Sequence, residues 1–302
     1  MISEAVFQAL KGYVPEENIR LQEPMAGHTT FRIGGPADCF LQPENEKQLI
    51  QVLNYLKKVE MPYFILGKGS NLLVSDEGFR GVVIQIGAGM SRIAVAGNKI
   101  SAQAGATMAQ VARSAWEHGL TGLEFAAGIP GTVGGGVVMN AGAYDGEMSY
   151  VVEQVSMVNG EGEIFKLGKE DLEFGYRTSV IKNKPFIVTD VVFCLQKGNR
   201  EAIKTKMDEL AAKRREKQPL EYPSAGSTFK RPEGLYAGKL IMDAGLRGYR
   251  VGGAQVSEKH CGFVINTGQA TAKDVMELIT EVRKQVKDKF KVDLEPEILY
   301  LS

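Results

Sequence analysis

The chain has 302 residues, 44% of them apolar and 24% charged, which is typical of a folded globular protein rather than of a disordered or fibrous one. Its length suggests two or three domains. Lysine plus arginine equals aspartate plus glutamate at 36 each, so the charge balance gives no reason to expect binding to nucleic acid or to an anionic membrane surface.

The first 200 residues alternate helical and extended patterns. Leu49, Ile50, Leu53 and Leu56 recur at helical spacing, and Thr107 can cap a later helix that Gly119 ends. The predicted elements are a helix over 46–59, strands at 63–66, 82–86, 93–95 and 100–104, a helix over 107–119, and strands near 151–158 and 186–195.

The pattern changes near Asn199, where a charged amphipathic helix begins that ends before Pro219. Thr271 and Asp274 fit a capping box for a second helix. Strands are predicted at 263–265 and 292–300. We therefore expect a boundary close to residue 200. The apolar face of the second helix comprises Val275, Met276, Ile279, Val282, Val286 and Phe290.

The segment Gly119–Gly146 holds nine of the chain's 35 glycines. Ordered glycine is costly, so this density indicates a backbone that turns sharply or approaches a ligand closely, and a pyrophosphate suits such a surface. A flexible linker is the alternative. Linkers are usually polar, whereas apolar residues such as Phe125 and Val133 interrupt these glycines, which favours a buried nucleotide cradle.

A second glycine loop, Gly67-Lys68-Gly69-Ser70-Asn71, follows the predicted strand at 63–66. It is not a P-loop, because glycine rather than serine or threonine follows Lys68, and the chain has no Gly-x-Gly-x-x-Gly fingerprint. Alone it predicts a plain turn. Together with the first loop it suggests a dinucleotide held between two glycine-lined lobes.

Three polar residues outside these loops are candidates for chemistry: Arg177, Ser227 and Glu297. Taken singly, they predict a surface charge, a turn and a solvated carboxylate. Glu297 differs because apolar residues surround it, so we expect its carboxylate to be half-buried. Ser227 lacks a Gly-x-Ser-x-Gly elbow, which argues against a hydrolase nucleophile.

Cysteine and histidine are too few and too scattered to predict a metal site or a disulfide framework. We expect reduced, mostly buried thiols in a cytoplasmic protein. The first residues do not resemble a signal peptide, and no apolar run approaches the roughly 20 residues that span a bilayer, so we expect no membrane association. The residues are Cys39, Cys194, Cys261, His28, His118 and His260.

Read together and in order, these segments resemble the UDP-N-acetylenolpyruvoylglucosamine reductase family over nearly the whole chain. The motifs that carry the resemblance are HTTFRIGGPA at 28–37, GKGSN at 67–71, GIPGTVGG at 128–135, NAGAY at 140–144, YRTS at 176–179, AGSTFK at 225–230 and LEPE at 294–297.

The resemblance implies an α+β protein. A two-lobed FAD-binding domain of the vanillyl-alcohol-oxidase type would occupy residues 1–200, with its core at about 27–195, and a smaller α+β substrate-binding domain would occupy 201–302. FAD would bind non-covalently. Its implied contacts are Gly67, Lys68, Gly69, Ser70, Asn71, Gly128, Ile129, Pro130, Gly131, Thr132, Gly134, Gly135, Asn140, Ala141, Gly142 and Arg214, with neighbouring Arg215 as an alternative to Arg214.

The resemblance also implies a chemistry. NADPH reduces FAD, and hydride then passes to C3 of the enolpyruvyl group of UDP-N-acetylglucosamine enolpyruvate. Arg177 would stabilise the enolate, Glu297 would assist at the same carboxylate, and Ser227 would deliver a proton to C2.

Further substrate contacts and a subtype follow from the same resemblance. His260 also fits a structural, hydrogen-bonded role, and many relatives carry asparagine where Arg231 stands. The chain resembles the shorter subtype without an extra tyrosine-bearing loop, and we expect a monomer. The implied substrate contacts are Tyr144, Lys217, Lys230, Arg231 and His260.

Two other functions remain open from the residues alone. A related FAD-dependent carbohydrate oxidase would often tether its flavin through histidine or cysteine, but Cys39, His28 and His118 all lie outside the glycine-rich loops. A nucleotide-binding sensor would need the cradle but not Arg177, Ser227 and Glu297 together.

Overall fold

The structure is a computed structural model that describes residues 2–302, and its mixture of helices and mainly antiparallel sheets confirms the predicted α+β class. The helices are α1 Glu4–Lys11, α2 Glu46–Lys58, α3 Met108–Glu117, α4 Val133–Val138, α5 Met148–Val151, α6 Arg200–Lys217, α7 Ala237–Asp243 and α8 Ala272–Phe290. The strands are β1 Ile19–Pro24, β2 Pro36–Leu41, β3 Tyr63–Leu66, β4 Leu72–Val74, β5 Phe79–Gln85, β6 Ile93–Ala96, β7 Lys99–Gln103, β8 Leu120–Thr121, β9 Gly142–Ala143, β10 Gly146–Glu147, β11 Val152–Val158, β12 Ile164–Gly168, β13 Ile187–Cys194, β14 Gln196–Lys197, β15 Ser224–Ser227, β16 Arg250–Val251, β17 Ala254–Val256, β18 Phe263–Asn266 and β19 Leu299–Leu301.

The chain divides into two compact units. The first comprises residues 1–20, 39–68 and 81–214, and the second comprises 21–38, 69–80 and 215–302. The boundaries after Arg20, Asp38 and Arg80 fall inside β1, β2 and β5, whose sheet has the order β1-β2-β5-β3.

The first unit is built around a five-stranded sheet of order β12-β11-β13-β7-β6. Its strands pair antiparallel, as in the β13–β7 register Asp190↔Gln103 to Cys194↔Lys99. In the other sheet β3 runs parallel to β5, with Tyr63 opposite Val82. The helices α2 and α3 turn apolar faces towards a continuous core that includes Leu49, Leu56 and Val111.

The second unit has its own core beneath a four-stranded antiparallel sheet of order β15-β18-β17-β16. The long helix α8 packs against this sheet through Val275, Ile279 and Val282. A separate parallel pair joins β19 to β4, with Leu299 opposite Leu72.

Most predicted elements are confirmed, including the capping boxes or caps at Thr107 and Thr271. Met276 is wrong as a member of the apolar face of α8, because it is 36% exposed, while Leu278 is buried. The strand predicted over 292–300 is limited to Leu299–Leu301, because Pro296 lacks an amide proton and forms only an isolated bridge with Phe229.

The glycine-rich segment also differs from the simple loop that was predicted. It contains α4, which begins after Thr132, and a tight hairpin formed by β9 and β10. Tyr144 and Asp145 occupy the hairpin turn with φ of 51° and 65°, as a type I′ turn requires.

The two units divide the chain differently from the expected boundary. The transition follows Arg214 inside α6 rather than lying near residue 200, and the second unit includes two segments from the N-terminal third. No helix within residues 2–302 combines the length and the apolar character needed to cross a bilayer.

Candidate functional site

The two glycine loops meet in the first unit. The parallel strands β3 and β5 bring Gly67 to the end of the sheet, where the side chain of Gln85 donates a hydrogen bond of 3.0 Å to its carbonyl. A Cβ at Gly67 would lie 2.5 Å from Thr132 Oγ1. Only glycine fits at this distance, so the close approach of the two loops explains that residue.

One face of the glycine loop at residues 128–135 is fixed to the protein. Val133 and Gly134 donate backbone hydrogen bonds to the carbonyls of Ala106 and Ala104, at 2.8 and 2.9 Å. Gly128 and Gly135 remain exposed. The loop therefore exposes backbone without side chains at these two glycines, and this surface fits the pyrophosphate of FAD, whose oxygens can approach it closely.

The geometry distinguishes Arg214 from Arg215. A Cβ at Gly128 would lie 3.1 Å from Arg214 Nη1, so the guanidinium of Arg214 lies against the glycine loop. Burial lowers the pKa of Arg214, because desolvation disfavours the charged form, and a phosphate beside it would offset that cost. Arg215 is exposed, and its carbonyl accepts a hydrogen bond from Lys259. The first unit thus places Arg214, not Arg215, beside the loop.

Arg177 occupies the tip of a tight turn in the first unit. Gly175 and Thr178 exchange backbone hydrogen bonds of 3.1 and 3.3 Å, which leaves Tyr176 and Arg177 as the two central residues. Arg177 has φ 56°, a left-handed conformation that is uncommon for arginine. Its Nη2 donates to the carbonyl of Gly142 at 3.3 Å, so the half-buried guanidinium lies beside the β9–β10 hairpin.

The segments that carry Ser227 and Glu297 are hydrogen-bonded neighbours in the second unit. Ser227 ends β15, which pairs with β18, and the next residue, Thr228, accepts the backbone N–H of Glu297 at 2.8 Å. Lys230 likewise donates its backbone N–H to Glu295 at 2.9 Å. Both Ser227 and Glu297 are half-buried, which confirms the expectation for Glu297.

Asn71 provides a further link within the second unit. Its Nδ2 donates to the carbonyl of Glu297 at 3.1 Å, and its own carbonyl accepts the N–H of Leu299 at 2.9 Å. A residue predicted as a cofactor contact thus also supports the segment before β19 that carries Glu297.

Thr30 is a residue whose importance single-residue reasoning missed. Its N–H donates to Gly69 at 3.2 Å and its hydroxyl donates to Ser224 at 2.7 Å, so it joins the glycine loop to the strand that carries Ser227. The only sequence signal was its place in the HTTFRIGGPA motif.

The expected substrate contacts have varied surroundings. Lys230 forms an ion pair with Glu295, and the guanidinium of Arg231 lies 4.6 Å from the ring centroid of Tyr236. Lys217 is the exposed last residue of α6, and Tyr144 lies at the hairpin tip described above. Their roles towards the substrate remain predictions.

His260 has the surroundings of a structural residue. Its Nδ1 accepts the backbone N–H of Gly262 at 3.1 Å, and its ring packs edge-on against Phe263 at 5.0 Å. Burial lowers its pKa, because desolvation disfavours the imidazolium. A neutral imidazole of this kind keeps its proton on Nε2, which leaves one donor for a ligand.

The three residues considered for a covalent flavin tether lie outside the loops. Cys39 is fully buried in the core of the first unit, and His118 ends α3 with its Nδ1 bound to the carbonyl of Ser114. His28 forms a 2.8 Å pair with Glu23. Their positions give no support to the oxidase alternative.

Comparisons with known proteins identify relatives of both parts of the chain. A family model described as the C-terminal domain of UDP-N-acetylenolpyruvoylglucosamine reductase matches residues 218–301, and a model of an FAD binding domain matches residues 37–168. A UDP-N-acetylenolpyruvoylglucosamine reductase of Caldanaerobacter subterraneus subsp. tengcongensis is 52% identical over 297 residues, which is 98% of each chain.

Solved structures give the same result. The crystal structure of the Thermus caldophilus UDP-N-acetylenolpyruvylglucosamine reductase matches with a TM-score of 0.80 and 37% identity, covering 94% of this chain and 98% of that one. An alkyldihydroxyacetonephosphate synthase matches with a TM-score of 0.51 and 14% identity, covering 65% of this chain and 41% of that one, which is a likeness of fold alone.

These matches confirm the predicted FAD-binding fold followed by a distinct C-terminal domain. With half of the residues identical to a named relative over almost the full length of both chains, the protein belongs to the UDP-N-acetylenolpyruvoylglucosamine reductase family.

Proposed function

We propose that this chain reduces UDP-N-acetylglucosamine enolpyruvate to UDP-N-acetylmuramate with NADPH and FAD, a step of peptidoglycan precursor synthesis. The observation that carries the proposal is the pairing of Ser227 and Glu297 on hydrogen-bonded neighbouring segments, in a chain that is 52% identical to a reductase of that name. Protonation beside a substrate carboxylate requires a proton donor and a group that orients that carboxylate, and these two segments supply both.

The residues of the glycine loops fit FAD, which when bound takes hydride from NADPH and supplies it to C3 of the enolpyruvyl group. In this proposal the exposed backbone at Gly128 and Gly135 binds the pyrophosphate, and Arg214 balances its charge. The flavin is bound non-covalently in this proposal, because Cys39, His28 and His118 all lie outside the glycine loops.

Arg177, Glu297 and Ser227 have separate tasks. The guanidinium of Arg177 stabilises the negative charge that hydride transfer places on the enolate and substrate carboxylate. Glu297 orients the same carboxylate end. The hydroxyl of Ser227 donates a proton to C2, which a strongly basic carbon accepts even from a weak acid when the donor is correctly placed.

The proposal extends to the setting of the enzyme. It acts in the cytoplasm as a monomer, without membrane or nucleic acid, and it supplies cell wall synthesis and through it cell shape and division. An equal number of acidic and basic residues, 36 of each, is consistent with small-molecule substrates and no polyanionic partner.

The test separates the two half-reactions in stopped flow. Ser227→Ala should leave the reduction of the flavin by NADPH within about twofold of the wild type, and slow its reoxidation by the enolpyruvyl substrate by about 10²–10⁴-fold. Ser224→Ala, on the same strand, is the matched control and should leave both rates unchanged.

Two results would contradict the assignment. Equal loss of both half-reactions in Ser227→Ala would mean that the serine supports the flavin site rather than the proton transfer. Unimpaired reoxidation would exclude Ser227 as the donor.

A further inference from the structure

We propose that Asn140 is a positioning residue that fixes the turn carrying Arg177, rather than a side-chain contact to FAD as its motif implies. This inference rests on the proposed function, because that function gives Arg177 its task. It concerns only residues of the first unit.

The side-chain amide of Asn140 is fully committed to the protein. Its Nδ2 donates to the carbonyl of Gly175 at 3.0 Å and to Glu147 Oε1 at 3.1 Å, and its Oδ1 accepts the N–H of Ser149 at 2.9 Å. An asparagine amide has two N–H donors. Both are used here, so the side chain has no donor left for a phosphate, and the residue is only 1% exposed.

Asn140 donates to the carbonyl of Gly175, which is the first residue of the turn that carries Arg177. The same carbonyl accepts the N–H of Thr178 at 3.3 Å and closes the turn. The left-handed φ of 56° at Arg177 is a strained conformation for a residue other than glycine. A strained turn needs outside restraint to keep one conformation, and the bond from Asn140 supplies it.

The segment 138–142 contacts this turn through every second residue: Val138, Asn140 and Gly142. The carbonyl of Val138 accepts the hydroxyl of Ser179 at 2.9 Å, and the carbonyl of Gly142 accepts Arg177 Nη2 at 3.3 Å. Asn140 lies between these two and provides the central bond. Residues 138–142 therefore form a support for the turn on both sides of Arg177.

Loss of the amide should displace the arginine more than it unfolds the protein. The Gly175 carbonyl is half-buried and keeps its bond from Thr178, so the variant loses a hydrogen bond there without leaving the carbonyl unpaired. A displacement of about 1 Å at a charge-stabilising group lowers a reaction rate by as much as 10²-fold. The effect should therefore appear in the step that uses Arg177.

Asn140→Gly is the informative variant, because glycine tolerates the left-handed φ of 42° at this position while removing the three hydrogen bonds. We expect the limiting rate of flavin reoxidation by the enolpyruvyl substrate to fall about 10–100-fold. The substrate concentration for half-maximal rate, the reduction of the flavin by NADPH, and the rate at which FAD dissociates from diluted holoenzyme should each stay within about twofold of the wild type.

Asn159→Gly is the matched control. Asn159 is half-buried in the turn between β11 and β12 of the same unit, and its side chain also makes three hydrogen bonds, with Glu161 and Glu163. This variant should lower the melting temperature in a comparable way and leave both half-reactions unchanged. If Asn140→Gly fails to fold, Ser179→Ala removes the neighbouring support and should reduce the same rate in the same direction.

A double-mutant cycle with Arg177→Lys tests whether Asn140 acts through the arginine. If it does, the double variant should lose much less than the product of the two single losses. Fully multiplicative losses, or faster FAD dissociation in Asn140→Gly, would overturn the inference. An impaired Arg177→Lys beside a normal Asn140→Gly would overturn only this inference, whereas a normal Arg177→Lys would overturn the proposed role of Arg177 and this inference with it.

Discussion

At the scale of single residues, the close contact between Gly67 and Thr132 defines the candidate cofactor cradle. The 2.5 Å between an added Cβ and Thr132 Oγ1 leaves no room for any side chain at Gly67. The motif GKGSN placed a glycine there, but its partner lies 65 positions further along the chain and nothing in the sequence marks Thr132 as that partner.

This contact leads to a prediction for Gly67→Ala. The methyl group should push the two loops apart, lower the stability by about 1–3 kcal/mol and weaken FAD retention. Thermal unfolding and the FAD content of the purified protein measure the two effects. Gly160→Ala is the control, because a Cβ there would meet nothing closer than 3.6 Å, and it should match the wild type. Normal FAD content in Gly67→Ala would contradict the cradle.

Sequence reasoning was most effective where local chemistry decides the outcome. Glu297 was expected to be half-buried because of its apolar neighbours, and it is. Arg214 could not be separated from Arg215, because only the position of Gly128 in space distinguishes them. Asn71 and Asn140 both fitted a cofactor motif, while their long-range bonds to Glu297 and Gly175 left no trace in the sequence.

At the scale of secondary-structure elements, α8 shows the same division between local and distant contacts. Its capping box, Thr271 with Asp274, was predicted and is present. A second cap at the same end of α8 was not predicted. Asp76 accepts the N–H groups of Ala272 and Lys273 at 2.8 and 3.0 Å from 196 and 197 positions away. Four first-turn N–H groups need partners, and Asp76 supplies two acceptors.

We therefore predict that Asp76→Ala lowers the free energy of unfolding by about 1 kcal/mol. Asp76→Asn keeps an acceptor oxygen and should recover about half of that loss. Urea denaturation followed by circular dichroism measures both. A loss below about 0.3 kcal/mol in Asp76→Ala would mean that the capping box alone stabilises this end of the helix.

The same helix end sets a pH dependence. The N–H of Thr271 holds the pKa of Asp274 below its ordinary value. The carboxylate therefore stabilises the fold above the ordinary aspartate pKa, and this stabilisation is lost as the pH falls through the lowered pKa of the folded state.

The glycine-rich segment shows why some elements resist prediction. Glycine disfavours helices, yet α4 forms there because Thr132 caps it and the backbone of Ala104 and Ala106 accepts its first N–H groups. A Cβ at Gly134 would lie 2.9 Å from Ala104 Cβ, so packing rather than helix propensity selects glycine at that position.

At the scale of the whole molecule, the chain crosses between its two units repeatedly. Periodicity can detect a change of pattern near residue 200, but it cannot show that residues 21–38 and 69–80 belong with 215–302. Those assignments depend on contacts such as Asn266 to Phe31, separated by 235 positions. Strand and helix patterns are local, whereas the membership of a compact unit is not.

The candidate residues are divided between the two units. The first unit provides Arg214 and the Arg177 turn, and the second provides Ser227 and Glu297. Each pair is held by backbone and amide hydrogen bonds within its own unit, as at Gly175 and at Thr228. The proposed hydride and proton transfer needs each of these groups to be held in one position.

The most direct test of the proposed reaction is an anaerobic one. The purified protein with bound FAD is reduced with NADPH until the flavin absorbance is lost, UDP-N-acetylglucosamine enolpyruvate is added, and the spectrum and products are followed. The account predicts rapid return of the oxidised flavin spectrum with one UDP-N-acetylmuramate formed per flavin reoxidised. A spectrum that returns only when oxygen is admitted would indicate an oxidase, and a protein that binds no flavin would contradict the interpretation of both glycine loops.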